Sequence, residues 1–399
     1  MVKKHIFEST TFHINPYPFY RQLQETGEPF WLPHEIQPLE TPGMWLFARY
    51  DDVVNILKST VPLSKRILSV RKPENIIAMD YSMLQQDPPE HTRLRSLVKQ
   101  AFTPARIRSL ETQINEITNE LLDRMSGIES GDFMKDFALP LPLKVIAILL
   151  GIPVGDQKLF DKWINIILTG FDSPTADDEK IQQLMQASAD ITVYFEELIP
   201  ERRKNPGDDA LSAMLHAHDG TDYLSDNELK GMCMLFLVAG FETTVNLLGN
   251  GLYTLLKFPD QFTLLKRHKE HLNTAIEEML RFESPIQRST FRIATRNFQL
   301  GGRQFSKGEQ ICGLIGAANR DPVHFQDADK FDITRSPNPH IAFGAGIHTC
   351  LGAMLARLEA KVAFGELLAK LPDINLATEH PVWNETTYFR GLTSLPVQY

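Results

Sequence analysis

Cysteine is scarce in this chain. Three cysteines occur among 399 residues, Cys233, Cys312 and Cys350, and no Cys-x-x-Cys pair is present. An odd and sparse set provides no disulfide framework. The missing pair also argues against a zinc or iron–sulfur site, because such sites draw on several closely spaced ligands. Any special chemistry of sulfur must therefore belong to a single cysteine.

Long apolar runs are missing too. The longest is GMCMLFLVAGF, at Gly231–Phe241, and Glu242 ends it. It is too short to cross a bilayer, which takes about 20 residues. The N-terminal stretch MVKKHIFESTTFHINPYPFYRQ lacks the apolar segment of a signal peptide. We therefore expect no membrane anchor and a cytoplasmic location.

The chain has no excess of positive charge. It carries 41 Lys and Arg against 50 Asp and Glu, which gives a formal net charge of −9. This balance argues against general binding of nucleic acid, which needs a basic surface. With 43% hydrophobic residues the chain has ample material for a large core.

Helical periodicity dominates from Thr103 to about Leu256. Ser225 and Glu228 form a predicted capping box, and the helix that follows runs to Phe258, where Pro259 stops it. At 1.5 Å per residue this helix is about 50 Å long. It is long enough to cross a whole domain.

Short strands flank the helical part. Apolar stretches at Pro29–Pro33 and Met44–Ala48 read as strands, as do the segments around the Gly301-Gly302 turn and the tail TSLPVQY. A last helix is expected from about Leu351 to Lys370. Neither repeats nor low-complexity linkers occur. We predict one mainly α (α+β) domain, residues 1–399, with small sheets at one side.

A glycine-rich loop precedes Cys350. The stretch is Phe343-Gly-Ala-Gly-Ile-His-Thr-Cys350-Leu-Gly352, at the start of the last helix. Glycines allow tight turns and close approach to a flat ligand. Free amides at a helix N-terminus stabilise a thiolate and lower its pKa. An isolated thiolate suits an axial haem ligand better than a zinc site.

A second motif, AGFETT, lies midway along the long helix. Gly240 weakens the helix locally, and Thr243 can donate its hydroxyl back to the carbonyl of Ala239. The motif predicts a notch with a polar group inside an otherwise apolar helix. Helical rotation is expected to place Thr244 on a different face.

The cysteine loop resembles the ligand signature of the cytochrome P450 family, Phe-x-x-Gly-x-x-x-Cys-x-Gly, at every fixed position. Further motifs match in the same order from about His91 to the end, whereas the first eighty residues match more loosely. The stretch FDITRSPNPHIAFGAGIHTCLG is especially similar to soluble bacterial members, including fatty-acyl and polyketide-tailoring hydroxylases.

The resemblance implies the P450 fold, with a buried haem b whose iron Cys350 ligates. It implies that the haem propionates bind His91, Arg95, Arg292 and His348. Other haem contacts are implied for Ala239, Gly240, Phe343, Gly344 and Gly352. A buried charge cluster of Glu278, Arg281 and Arg335 would serve folding and haem retention, because burying these charges demands full pairing.

The resemblance further implies a monooxygenase whose dioxygen binds in the notch of the long helix, where Glu242 and Thr243 supply protons. Because no flavin or iron–sulfur domain is visible, electrons are expected from a ferredoxin or flavodoxin with its NAD(P)H-dependent reductase. An acidic partner would dock on basic residues near Cys350. The candidates are Lys99, Arg108, Arg357 and Lys361.

By analogy with the family, the substrate pocket receives eight apolar side chains. They are Leu84, Ile166, Leu168, Phe171, Ile286, Phe291, Phe389 and Leu392. An apolar small-molecule substrate follows, and fatty-acyl chains, macrolides and terpenoids all remain open.

Three other functions compete with this interpretation. One is a peroxygenase that uses hydrogen peroxide, although the Glu242–Thr243 pair favours dioxygen and a redox partner. Another is a haem-binding sensor or carrier without turnover, which would need neither a proton relay nor a substrate pocket. The third is a helical scaffold without haem.

Overall fold

The computed structural model describes residues 9–33, 43–66, 76–156, 159–160, 162–163, 166 and 178–399. Within them the α-helices are α1 (Thr10–Ile14), α2 (Tyr17–Thr26), α3 (Tyr50–Lys58), α4 (Glu90–Lys99), α5 (Pro104–Ser109), α6 (Glu111–Ser126), α7 (Pro140–Leu150), α8 (Asp178–Lys204), α9 (Ala210–His216), α10 (Asp226–Lys257), α11 (Pro259–Arg267), α12 (Leu272–Phe282), α13 (Ile315–Ala318) and α14 (Ala353–Lys370). Short 3-10 turns lie at Ala78–Tyr81, Met83–Gln85, Val154–Asp156, Lys269–His271 and Gly346–His348, and a π-helical turn lies at Met134–Ala138.

The strands are short. They are β1 (Phe30–Pro33), β2 (Gly43–Phe47), β3 (Leu63–Ser64), β4 (Ser130–Asp132), β5 (Arg292–Ala294), β6 (Phe298–Leu300), β7 (Arg303–Phe305), β8 (Gln310–Gly313), β9 (Asn375–Leu376), β10 (Val382–Trp383), β11 (Leu392–Ser394) and β12 (Pro396–Gln398). The predicted Gly301-Gly302 turn joins β6 to β7, where Leu300 pairs with Arg303. The fold is mainly helical with small sheets, as predicted.

Helix α10 is the longest helix among the described residues. Its capping box is confirmed: Glu228 N donates to Ser225 Oγ at 3.3 Å, and Ser225 N donates to Glu228 Oε2 at 2.8 Å. Pro259 opens the next helix, as the sequence predicts. At 32 residues α10 is about 48 Å long. It packs against α7, α12 and α14.

Among the described residues, α10 is also the one helix long and apolar enough to cross a membrane. Of the 18-residue stretch that makes it apolar enough, 78% is buried inside the protein. The core helix of a folded domain can have the same length and composition.

The largest sheet has the strand order β1-β2-β8-β5-β3. Strands β2 and β8 run parallel, whereas the other neighbours are antiparallel. Pairing of Ser64 with Ile293 brings the end of β3 to the start of β5. This register places Lys65, just after β3, beside Arg292 at the same end of the two paired strands.

Candidate active site

The loop before Cys350 has a backbone that only glycine accommodates. Gly344 and Gly346 have φ angles of +73° and +77°, in the left-handed region. A Cβ on Gly346 would also lie 2.9 Å from Lys58 Cα. The amide of Cys350 donates to the carbonyl of Phe343 at 2.9 Å and closes the loop. The Cys350 side chain consequently points into a cavity, to which it is exposed.

The pKa of the Cys350 thiol is raised. Burial in the site is the largest cause, while the backbone amides of Gly352 and Ala353 and the charges of Arg95 and Arg357 act in the opposite direction. The predicted lowering of this pKa is therefore wrong for the free thiol, because desolvation outweighs the amides. A bound metal cation deprotonates a coordinating thiol outright.

A cavity of about 260 Å³ separates Cys350 from the middle of α10. Eleven predicted site residues besides Cys350 line it: Leu84, Arg95, Ala239, Gly240, Thr243, Ile286, Arg292, Phe343, Gly344, His348 and Gly352. The sequence analysis missed several others, among them Lys65, Met83, Leu235, Phe236, Glu359 and Tyr388. No motif marks these positions, since their approach depends on how separate segments pack.

The α10 wall of the cavity carries the threonine motif. Thr243 Oγ1 donates to the carbonyl of Ala239 at 2.8 Å, as predicted. A Cβ on Gly240 would lie 3.0 Å from Ile146 Cδ1, so the glycine lets α7 pack closely. The helix is continuous through the motif, so the expected local weakening produces no break. Thr244 lines the same cavity, which corrects its predicted placement on another face.

Glu242 lies beside this wall but is not one of the residues that line the cavity. Its Oε1 accepts a hydrogen bond from Asn246 Nδ2 at 3.0 Å. Burial raises the pKa of the carboxyl, and the hydrogen bond from Asn246 only partly opposes this. The carboxyl is thus biased towards its protonated form.

A cluster of basic side chains gathers at one side of the cavity. The rings of His91 and His348 lie 4.2 Å apart, and Arg95, Arg292 and Lys65 surround them. Burial, together with Arg95 and Lys65, lowers the pKa of His91 to about 4. Burial also lowers the pKa of Arg292 to about 10, and that of His348 to well below its ordinary value.

The arginines of the basic cluster donate their hydrogen bonds to backbone carbonyls. Arg95 donates to the carbonyl of Thr349 at 2.7 Å, and Arg292 donates to the carbonyls of Leu57 and Thr290. Both ring nitrogens of His91 and the Nε of Arg292 are buried without a hydrogen bond. Within the described residues, none of the cluster's cations forms an ion pair with a carboxylate. Buried donors of this kind call for a bound anion.

The second charge cluster is complete in itself. Glu278 and Arg281 are fully buried, and Arg281 contacts both carboxylate oxygens at 2.7 and 2.8 Å. Arg335 Nε lies 3.2 Å from each of the same oxygens. The remaining donors of Arg281 reach backbone carbonyls. The predicted contact between all three residues is therefore present.

Several predicted pocket residues lie elsewhere. Phe291 does not line the cavity, although its neighbours Thr290 and Arg292 both do. Tyr388 lines the cavity, whereas its neighbour Phe389, which is expected there, does not. The backbone of Phe389 forms an isolated antiparallel β-bridge with Ile286.

Two further pocket predictions are corrected by packing. Leu392 pairs with Trp383 between β11 and β10, and Ile166 packs against the main core. Neither lines the cavity. Leu168 and Phe171 lie outside the described residues.

A family model described as Cytochrome P450 matches residues 5–372. The chain belongs to the cytochrome P450 family. Within this family, Cytochrome P450 107B1 of Saccharopolyspora erythraea is 42% identical over 367 residues, covering 89% of this chain and 89% of that protein. Polyketide biosynthesis cytochrome P450 PksS of Bacillus subtilis is 41% identical over 400 residues, covering 97% of this chain and 96% of its own.

Solved P450 structures have the same fold as this chain. The structure of PksS, from the bacillaene polyketide synthase of Bacillus subtilis 168, has a TM-score of 0.90 and 39% identity, covering 100% of this chain and 99% of its own. The myxobacterial cytochrome P450 CYP267B1 in complex with myristic acid also has a TM-score of 0.90 and 39% identity. The match covers 98% of this chain and 97% of that chain.

Membership of this family implies a haem cofactor, and cytochrome P450 monooxygenases generally use dioxygen, a redox partner and a small-molecule substrate. The residues present fit the haem. A thiol on a glycine-rich loop opens into a largely apolar cavity, and buried nitrogen donors that make no hydrogen bond to the described residues gather at its edge. This set would hold a flat, iron-containing ligand that carries acidic groups.

Proposed function

We propose that this P450 binds haem b through Cys350 and hydroxylates an apolar substrate of the fatty-acyl or polyketide class. The observation that carries the proposal is one cavity that joins the Cys350 thiol to the Thr243 hydroxyl. The thiol would hold the iron. The hydroxyl would lie across the cavity from it, next to the substrate.

The charges around the cavity support haem b. Arg95, Arg292 and Lys65 supply three positive charges, and Asp87 is the nearby carboxylate that acts on Lys65 and Arg292. The cluster is left with two uncompensated positive charges, and haem b carries two propionates. His91 and His348, held neutral by burial, would donate hydrogen bonds to the same groups.

When bound, the haem supplies the activation of dioxygen, with the thiolate donating electron density to the iron. The chain's residues would manage protons and water. Burial raises the pKa of the Glu242 carboxyl, which would suit a group that exchanges protons with the cavity. The Thr243 hydroxyl, fixed by its bond to Ala239, would pass protons into the cavity. Leu235 and Phe236 line the cavity and would exclude bulk water.

The substrate class rests on the lining and on the relatives. Leu84, Met83, Leu235, Phe236 and Ile286 give the cavity an apolar wall. PksS is named for polyketide biosynthesis, and the solved structure of CYP267B1 contains myristic acid. Both point to long or cyclic apolar molecules.

A ferredoxin or flavodoxin with its NAD(P)H-dependent reductase is the proposed electron donor. Lys99, Arg108 and Lys361 are exposed on α4, α5 and α14, the last of which begins beside Cys350. Arg357 is a weaker candidate than the sequence suggests. Its guanidinium pairs with Glu277 at 2.6 and 2.8 Å, which neutralises much of its charge.

A spectroscopic ligand screen tests the proposal. Fatty acids and polyketide-like lactones are added to the purified holoenzyme, and a low-spin to high-spin shift of the Soret band reports binding. Positive ligands are then incubated with NADPH and surrogate redox partners, and separately with hydrogen peroxide. Substrate-dependent NADPH consumption with hydroxylated product is expected. Turnover with peroxide alone would indicate a peroxygenase, and binding without turnover a sensor.

A further inference from the structure

Lys65 is a buried cation that no sequence motif marks. Only 5% of it is exposed, and it lines the cavity directly after β3. The neighbouring strand β5 begins with Arg292, so the two positive groups lie side by side. A lysine is almost never fully buried unless it is paired.

Among the described residues, Lys65 has hydrogen-bond partners but no ion pair. Its ammonium donates to Thr290 Oγ1 at 2.6 Å. Asp87 is already engaged: its Oδ1 accepts from the backbone amide of Lys65 at 2.9 Å, and its Oδ2 accepts from Ser64 Oγ. In the described part of the chain, no carboxylate forms an ion pair with the ammonium. Two of its three N–H donors are therefore left for a ligand.

The electrostatics favour an anion at this place. Burial and the neighbouring Arg292 hold the pKa of Lys65 well below its ordinary value. A negative group within hydrogen-bond distance would restore the charged form and relieve the repulsion between the two cations. Because the cavity also contains Cys350 and His348, that group belongs to whatever ligand fills it.

We propose that Lys65 binds a propionate of the haem and is a cofactor-binding residue alongside Arg292. This rests on the haem site proposed above. Its role follows from the charge count, since without Lys65 the cluster is one positive charge short of balancing Asp87 and two propionates. The lysine would thus retain the haem, and it would raise the reduction potential because a nearby positive charge favours the ferrous form.

The experiment measures haem transfer from the holoenzyme to excess apomyoglobin. Lys65→Met is expected to lose haem roughly tenfold faster or more, because a charge-assisted hydrogen bond is removed. Lys65→Arg should restore slow transfer, since it keeps the charge. Lys307→Met, at an exposed lysine of the β7–β8 turn, is the matched control and should behave as wild type. A second readout is the ferric–ferrous potential, which should fall in Lys65→Met alone.

Specific outcomes overturn the inference. Unchanged haem transfer and potential in Lys65→Met would remove Lys65 from the haem site. Equal haem loss from Lys65→Met and Lys65→Arg would assign the lysine a packing role. Weaker binding of myristic acid, but not methyl myristate, with normal haem retention would make it a substrate-carboxylate ligand. Failure of the proposed function would be recognised by a different result. The wild-type protein itself would then lack the red-shifted carbon monoxide band of a thiolate-ligated haem.

Discussion

At the residue scale, Cys350 differs from the other two cysteines by what surrounds it. Cys233 and Cys312 are buried in apolar clusters, whereas Cys350 opens into the cavity. Cys350→Ala should abolish the red-shifted Soret band of the reduced carbon monoxide complex and much of the haem content. The matched variants Cys233→Ala and Cys312→Ala should keep both. A histidine-type spectrum in the wild-type protein would contradict thiolate ligation.

Thr243 is predicted to control how efficiently reductant is used. Thr243→Ala should still bind haem and substrate, but product per NADPH should fall several-fold and hydrogen peroxide should rise, because the hydroxyl no longer guides protons. Thr243→Ser should retain most of the coupling.

The control for Thr243 is Thr254→Ala. Thr254 makes the same back-bond, donating to Asn250 O at 2.7 Å, but it does not line the cavity. Thr244 is unsuitable, since it lines the cavity as well. Unchanged coupling in Thr243→Ala would leave Glu242 or ordered water as the proton carrier.

Glu359 is a buried carboxyl whose Oε2 has no hydrogen-bond partner. Burial raises its pKa to about 8, from an ordinary value of 4.5. Between these values the folded protein binds the extra proton, so stability is lost as the pH rises from about 4.5 to about 8. Glu359→Gln should therefore melt higher than wild type at pH 8 and at a similar temperature near pH 4.5. A lower melting temperature at pH 8 would contradict the raised pKa.

At the element scale, Glu278 and Arg281 attach α12 to the segment that carries Arg335. Glu278→Ala or Arg281→Ala leaves an uncompensated buried charge, which costs about 3–5 kcal/mol. We expect little soluble, haem-loaded protein. Arg124→Ala is the control, because its i,i+4 pair with Glu120 is exposed and such pairs contribute about 0–1 kcal/mol. Normal expression and melting of the α12 variants would show that the buried pair is dispensable.

At the scale of the whole molecule, α10 joins parts of the chain that are far apart in sequence. It packs against α7, α12 and α14, and Asn250 on it donates to the carbonyls of Glu283 and Arg390. We predict that residues 1–399 unfold as one domain. Urea unfolding followed by circular dichroism and by haem absorbance should give coincident transitions. Two separated transitions would divide the chain into independent units.

Features that depend only on neighbouring residues could be predicted from the sequence. The capping box, the Pro259 boundary, the Gly301-Gly302 turn and the bond from Thr243 to Ala239 all act within a few residues, so composition and spacing predict them. The cysteine loop is equally local, because its glycines adopt left-handed angles that other residues resist. The i,i+3 spacing of Glu278 and Arg281 also follows from helix geometry alone.

Which distant segments meet at the cavity depends on the packing of the whole chain and could not be predicted from local sequence. Lys65 and Arg292 are far apart in sequence and become neighbours through the register of β3 with β5. The neighbours of Phe291 and Phe389 line the cavity in their place, because the packing of distant segments sets which side chains face it. The raised pKa of Cys350 also depends on tertiary packing. The helix-terminal amides that lower it are local in sequence, whereas the desolvation that outweighs them comes from all the residues packed around the site.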